Sequence, residues 1–161
     1  MLPTHTALAL APGWRLDKLS IGKRLPSAKS AKNMEIVEGY PPNYEQIKAA
    51  FNPDADVVFT YGNTLYSPNA SYIDDVLLAH EKEHAKQQTD PEKWWHLYIT
   101  DVEFRISQEL AAYRAQYRYA CTKYPNRADR FAILVKLAHD MSGPIYGNCI
   151  DFLTAFREIK S

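Results

Sequence analysis

The chain has 161 residues, 46% hydrophobic and 24% charged, with lysine plus arginine and aspartate plus glutamate balanced at 19 each. That length and composition fit one globular domain with a single sizeable core, and a formal net charge of +0 gives no electrostatic pull toward nucleic acid or an anionic membrane. Two cysteines, Cys121 and Cys149, make neither a disulfide framework nor a metal-site spacing, and both read as reduced and structural.

Residues 1–33 are expected to form a partly irregular N-terminal arm. The apolar run Ala7–Ala11 lacks a basic leading region, lies near His5 and has prolines on both sides, so it does not read as a secretory signal. Residues 15–33 are rich in Lys, Arg and Ser, with Gly22 and Pro26 breaking any period. No stretch approaches the length of a membrane span, and the expected location is therefore cytoplasmic, as a soluble protein.

From residue 34 to 161 a single domain is expected. Met34–Glu38 reads as a short strand, and 43–51 as a short helix with Tyr44, Ile47 and Phe51 at helical spacing. Val57–Tyr61 and Thr64–Tyr66 are β-favouring runs joined by Gly62-Asn63, a strong hairpin signal. A helix then starts near Ser71, with Asp74 placed as its capping-box partner. Asp90-Pro91-Glu92 opens another, whose Trp94, Trp95, Leu97 and Tyr98 read as core. Asp101 caps a long helix that ends at Tyr124 before Pro125. Asn126 caps a helix through His139, closed by Gly143-Pro144, and Asn148 is the expected cap of a last helix to about Ile159.

Chemistry concentrates in the helix after the hairpin. His80-Glu81-Lys82-Glu83-His84 puts two imidazoles four residues apart on one helical face, the spacing that lets both reach one tetrahedral metal ion. Chance alone gives such a pattern in a chain of this length on the order of once in a few hundred cases. At about 100° per residue, Ile73, Val76, Leu77, His84 and Gln87 fall within roughly 60° of His80, while Asp75, Lys82 and Lys86 lie opposite. Both histidines therefore sit on the apolar, inward stripe. Glu81 falls beside the metal's open position, where a carboxylate takes a proton from a bound water instead of joining the coordination shell.

A catalytic zinc site needs a third protein ligand. On the long helix Glu109 shares a stripe with Val102, Ile106, Ala112, Tyr113 and Ala120, and a carboxylate there is costly unless paired or bound. One reading is an ion pair with Arg105, one turn earlier; the other is metal ligation, which the two inward histidines favour. Glu83 and Glu103 fall toward the flanks of their helices, and His5, His96 and His139 are isolated.

His80-Glu81-x-x-His84, followed about one helix later by Glu109-Leu-Ala-Ala112, resembles the gluzincin group of zinc metallopeptidases, in particular its small single-domain members, including phage-encoded ones. The resemblance is best over 57–117, where Gln87-Gln88, Trp94-Trp95 and Phe104-Arg105 through Tyr113-Arg114 read like the phage-type members, and Ser142–Asn148 adds a weaker match. It implies an α+β, mostly helical fold: a zincin-like minimal domain with a small, at least partly antiparallel sheet and a pair of metal-binding helices. It also implies Zn2+ held by His80, His84 and Glu109, with Glu81 as general base in the hydrolysis of a peptide or protein substrate by a metalloendopeptidase. The edge strand carrying Val57, Phe59 and Tyr61 becomes a candidate substrate-pairing edge, with a hairpin that merely covers the helix as the equally compatible alternative. Tyr146, flanked by glycines, is a candidate oxyanion donor or a packing residue. Larger gluzincins often carry an Asp four residues after the ligand Glu to orient a histidine; this chain has Tyr113 there. Two readings of another class stand beside the peptidase. One is a zinc-stabilised, non-catalytic structural or interaction protein, for instance of a phage particle, and the other is a metal-free binding module.

Overall fold

The computed structural model describes residues 34–69 and 73–161. The expected arm 1–33, its apolar run and Ser71 lie outside the described residues. Helices dominate: Tyr44–Phe51 (α1), Asp75–Gln87 (α2), Pro91–Thr100 (α3), Val102–Lys123 (α4), Arg127–Ser142 (α5) and Phe152–Lys160 (α6). Three short strands, Glu35–Glu38 (β1), Phe59–Tyr61 (β2) and Thr64–Ser67 (β3), complete a mostly helical α+β arrangement. None of these helices is long and apolar enough to cross a membrane.

The sheet order is β1-β3-β2. Gly62, at φ 60°, supplies the left-handed residue that the tight turn between β2 and β3 needs. The hairpin is antiparallel, with Phe59 opposite Tyr66 and Tyr61 opposite Thr64. On the other side β1 runs parallel to β3: α1 returns the chain to the far edge of the sheet as β2, antiparallel to β1, and the hairpin then reverses it into β3 between them. Val57 and Val58 precede the strand instead of joining it; Val57 is turned by its N–H bond to the Asp54 carbonyl.

Caps set the helix starts. Asp74 is the cap of α2, its Oδ1 accepting from the N–H groups of Val76 and Leu77 at 2.8 Å each, so the helix begins later than the Ser71 expectation placed it. Asp90, Asp101 and Asn126 cap α3, α4 and α5 as expected. The last helix corrects the reading at Asn148. That residue is left-handed, at φ 52°, following left-handed Gly147, whereas a cap needs extended backbone. Asp151 does the work, accepting from Thr154 N–H at 3.0 Å.

Three apolar clusters form the core. One joins α4, α5 and α6 through Tyr113, Leu134, Leu137, Met141 and Ile159. A second joins α1, β2 and α3 through Ile47, Phe51, Phe59, Trp95 and Tyr98, and a third packs Leu65 against Leu77. Helix α2 touches the first through Val76 and the third through Leu77. Its orientation, and so the aim of both histidines, is fixed from two directions at once. Cys121 and Cys149 are free thiols.

Asp74→Ala removes the acceptor for two α2 amides and should lower unfolding stability by about 1 kcal/mol. The change should appear in urea denaturation as a lower midpoint at unchanged slope.

Candidate metal centre

Helices α2 and α4 pack face to face, and His80, His84 and Glu109 meet between them. All are buried, at 3%, 7% and 2% exposure, which makes their mutual approach a matter of fold and not of surface chance. The two Nε2 atoms lie 3.0 Å apart, and each faces one oxygen of Glu109 at 3.4 Å. Metal–nitrogen bonds of about 2.0–2.1 Å in a tetrahedron put neighbouring ligand atoms about 3.3–3.4 Å apart. The three side chains already stand near that spacing. A single proton between the two nitrogens is the most that imidazoles can share there, whereas a cation engages both lone pairs.

Each of the three side chains is held from behind. His80 Nδ1 lies 3.0 Å from Gln116 Oε1, and His84 Nδ1 lies 2.9 Å from Gln87 Oε1. The Gln87 amide group donates to the Gln108 carbonyl at 3.0 Å, so its oxygen must face the histidine. His84 therefore carries a proton on Nδ1 and turns Nε2 toward the cluster. On Glu109, Tyr98 donates to Oε1 at 2.5 Å and Tyr146 to Oε2 at 2.9 Å. Each carboxylate oxygen has two lone pairs, and the tyrosines leave one apiece for the histidine side. Burial, and then the Glu109 charge, push both phenols well above their usual pKa and keep them neutral donors.

Arg105 does not pair with Glu109. Its Nη1 donates to the carbonyl of Tyr98 at 2.7 Å, and its guanidinium carbon lies 5.2 Å from the Phe51 ring centroid. Arg105 is thereby excluded as the partner of Glu109, whose charge is faced instead by the two histidines. Tyr146 is drawn into the site, but its one hydroxyl proton goes to Glu109, so it holds the carboxylate and has none to offer an oxyanion. Tyr113, where an acid was sought, packs its ring edge-on to His80 at 4.8 Å, and Gln116 orients that histidine instead.

Glu81, 5% exposed, lines the same recess as the three clustered side chains. The Thr60 hydroxyl of β2 donates to its Oε2 at 2.8 Å. Trp94, Trp95 and Tyr98 form the aromatic wall, so residues read as core from sequence both pack α3 and border the site. Val57 and Phe59 are buried and Tyr61 partly so; of these three expected edge residues Phe59 lines the recess, and beside it Thr60 is the strand residue that bonds Glu81. Sequence reasoning missed Thr60, Gln116 and the Tyr98 contact. Only Gln116 carried a signal, being a carboxamide on the apolar stripe of Glu109 and Tyr113.

The cluster's charges are strongly linked. Burial opposes a proton on His84, yet the Glu109 carboxylate outweighs it and raises the pKa to about 9. Burial also favours a neutral Glu109, but His84 and then His80 hold its pKa well below the usual 4.5. Comparison of the chain with protein-family models, with curated proteins and with solved structures gives no match.

Two outcomes follow from this geometry. Gln116→Leu should weaken divalent-cation affinity about 10–100-fold by freeing the His80 ring, measured by competition with a chromophoric chelator. In chelator-treated protein the raised His84 stabilises fully below its ordinary 6.5 and loses its effect as pH rises through about 9. The lowered Glu109 stabilises above 4.5 and loses its effect in acid. The cluster should thus contribute most between pH 4.5 and 6.5, and Glu109→Gln should flatten that maximum in thermal unfolding curves.

Proposed function

We propose that the chain is a zinc-dependent metallopeptidase of gluzincin type, with His80, His84 and Glu109 as ligands and Glu81 as general base. The observation that carries this reading is the combination of tetrahedral-like spacing with a second buried carboxylate that ligates nothing and lines the same recess. Two nitrogens and one carboxylate suit zinc and leave a fourth position. Charge also supports it: Glu81 and Glu109 together balance a divalent cation in a site that contains no lysine or arginine.

When bound, zinc supplies a Lewis acid at the point where the three side chains converge and brings the pKa of a water molecule toward neutrality. Gln116 and Gln87 keep both imidazoles in the ligating tautomer, and Tyr98 and Tyr146 hold the Glu109 carboxylate square to them. The Thr60 hydroxyl donates to Glu81 Oε2 and holds the carboxylate in place, so that it can take a proton from the attacking water. The water oxygen bonds to the scissile carbonyl carbon and the C–N bond breaks. Glu81 passes its proton to the leaving nitrogen, which yields one carboxylate and one amine. The aromatic wall of Trp94, Trp95 and Tyr98 limits access of bulk water.

A second reading, in which the ion only braces α2 against α4, draws on the near-complete burial of the three ligands. Glu81 separates the two, because a brace needs no base beside it. Glu81→Gln should bind zinc as the wild type does and lose peptide hydrolysis, whereas Glu109→Ala should lose zinc. Elemental analysis and hydrolysis of a quenched fluorescent peptide mixture read both, and hydrolysis that survives in Glu81→Gln would contradict the assigned role.

A further inference from the structure

The side of β2 away from β3 borders the recess. The carbonyls of Asn63 and Ser67 accept from Glu35 and Gly39 N–H in the first strand's segment, at 3.1 and 3.3 Å. The alternate residues Thr64 and Tyr66 therefore turn toward β2, opposite Tyr61 and Phe59. Val58, Thr60 and Gly62 consequently aim their main-chain groups outward. At one end those groups are taken: Gln88 accepts from Gly62 N–H at 2.8 Å and donates to the Thr60 carbonyl at 2.9 Å, and the Trp95 indole donates to the same carbonyl at 3.1 Å. A carboxamide carries the same donor and acceptor as a peptide group. Gln88, itself 5% exposed, thus stands where the peptide unit of an adjacent strand would stand.

One step back along the edge, the Val58 carbonyl and the Thr60 N–H have no such partner among the described residues, and Val58 and Thr60 both line the recess. Thr60 is also the residue whose hydroxyl bonds Glu81. The open part of the edge therefore ends beside the proposed base. Resting on the peptidase reading, we propose that Gln88 and Trp95 terminate the substrate-pairing edge at the Thr60 carbonyl, so that the site cleaves short peptides or the end of a chain rather than the interior of a long one. An extended peptide donates to the Val58 carbonyl and accepts from the Thr60 N–H on one side of the reacting bond. On the other side it meets a filled edge and the rings of Trp94 and Trp95.

The test maps cleavage sites by mass spectrometry, using zinc-loaded protein and synthetic peptides of random sequence in short and long sets. Wild type should cut next to one chain end, the same end throughout, and Gln88→Ala should shift cuts inward while retaining zinc. Amide hydrogen exchange should show Gly62 exposed faster in Gln88→Ala. Interior cuts of long peptides by the wild type as fast as terminal ones would overturn this inference and leave the peptidase reading intact. So would an unchanged Gly62 exchange rate. No cleavage of any peptide by wild type with a filled site would overturn the peptidase reading and this inference with it.

Discussion

Two imidazole nitrogens and a carboxylate converge in a place without bulk water, and the rest of the structure depends on making that convergence tolerable. Stripping the hydration from a carboxylate costs several kcal/mol unless another charge or a set of donors replaces the water. Here the replacement is threefold: the histidines in front of Glu109, the two phenols behind it, and the Thr60 hydroxyl on Glu81. The divalent cation proposed for the site would match the two negative charges with nothing left over.

Support for the cluster arrives from separate parts of the chain. Gln87 belongs to α2, Gln116 to α4, Tyr98 to α3, Thr60 to β2, and Tyr146 to the single turn of 3-10 helix at Pro144–Tyr146. Each comes with its own apolar packing: Tyr98 stacks on Trp94 at 4.8 Å, and Tyr146 meets Tyr113 edge-on at 6.2 Å. Core and site are therefore not independent. A cavity in either cluster would loosen a donor that holds Glu109, and the proposed metal affinity would then report on packing well away from the site.

The ligand helix was legible because its signal is periodic: His80 and His84 on the same stripe as Val76 and Leu77 can only point inward. Glu109 was legible for the same reason, as a charge on an apolar stripe. Gln116 lay on that stripe too, but an acid was sought at Tyr113, and a ring set edge-on to His80 filled the position instead. Thr60 and Gln88 were beyond reach, because they act on partners 21 and 28 residues away and only the packing of the hairpin against α2 brings them together. Asn148 misled because asparagine serves both caps and left-handed turns, and after Gly147 the chain uses it for the second. The parallel pairing of β1 was likewise unreadable from a four-residue strand, since it depends on the second strand of the hairpin, and not the first, lying beside β1.

The most direct test of the account is the metal content of purified, untagged protein, determined by elemental analysis with His80→Ala beside it. The account predicts about one zinc per wild-type chain, and loss of it in the variant. A wild-type protein that stays folded yet retains no zinc after reconstitution would contradict it, and would return His80, His84 and Glu109 to the status of a buried hydrogen-bonded cluster.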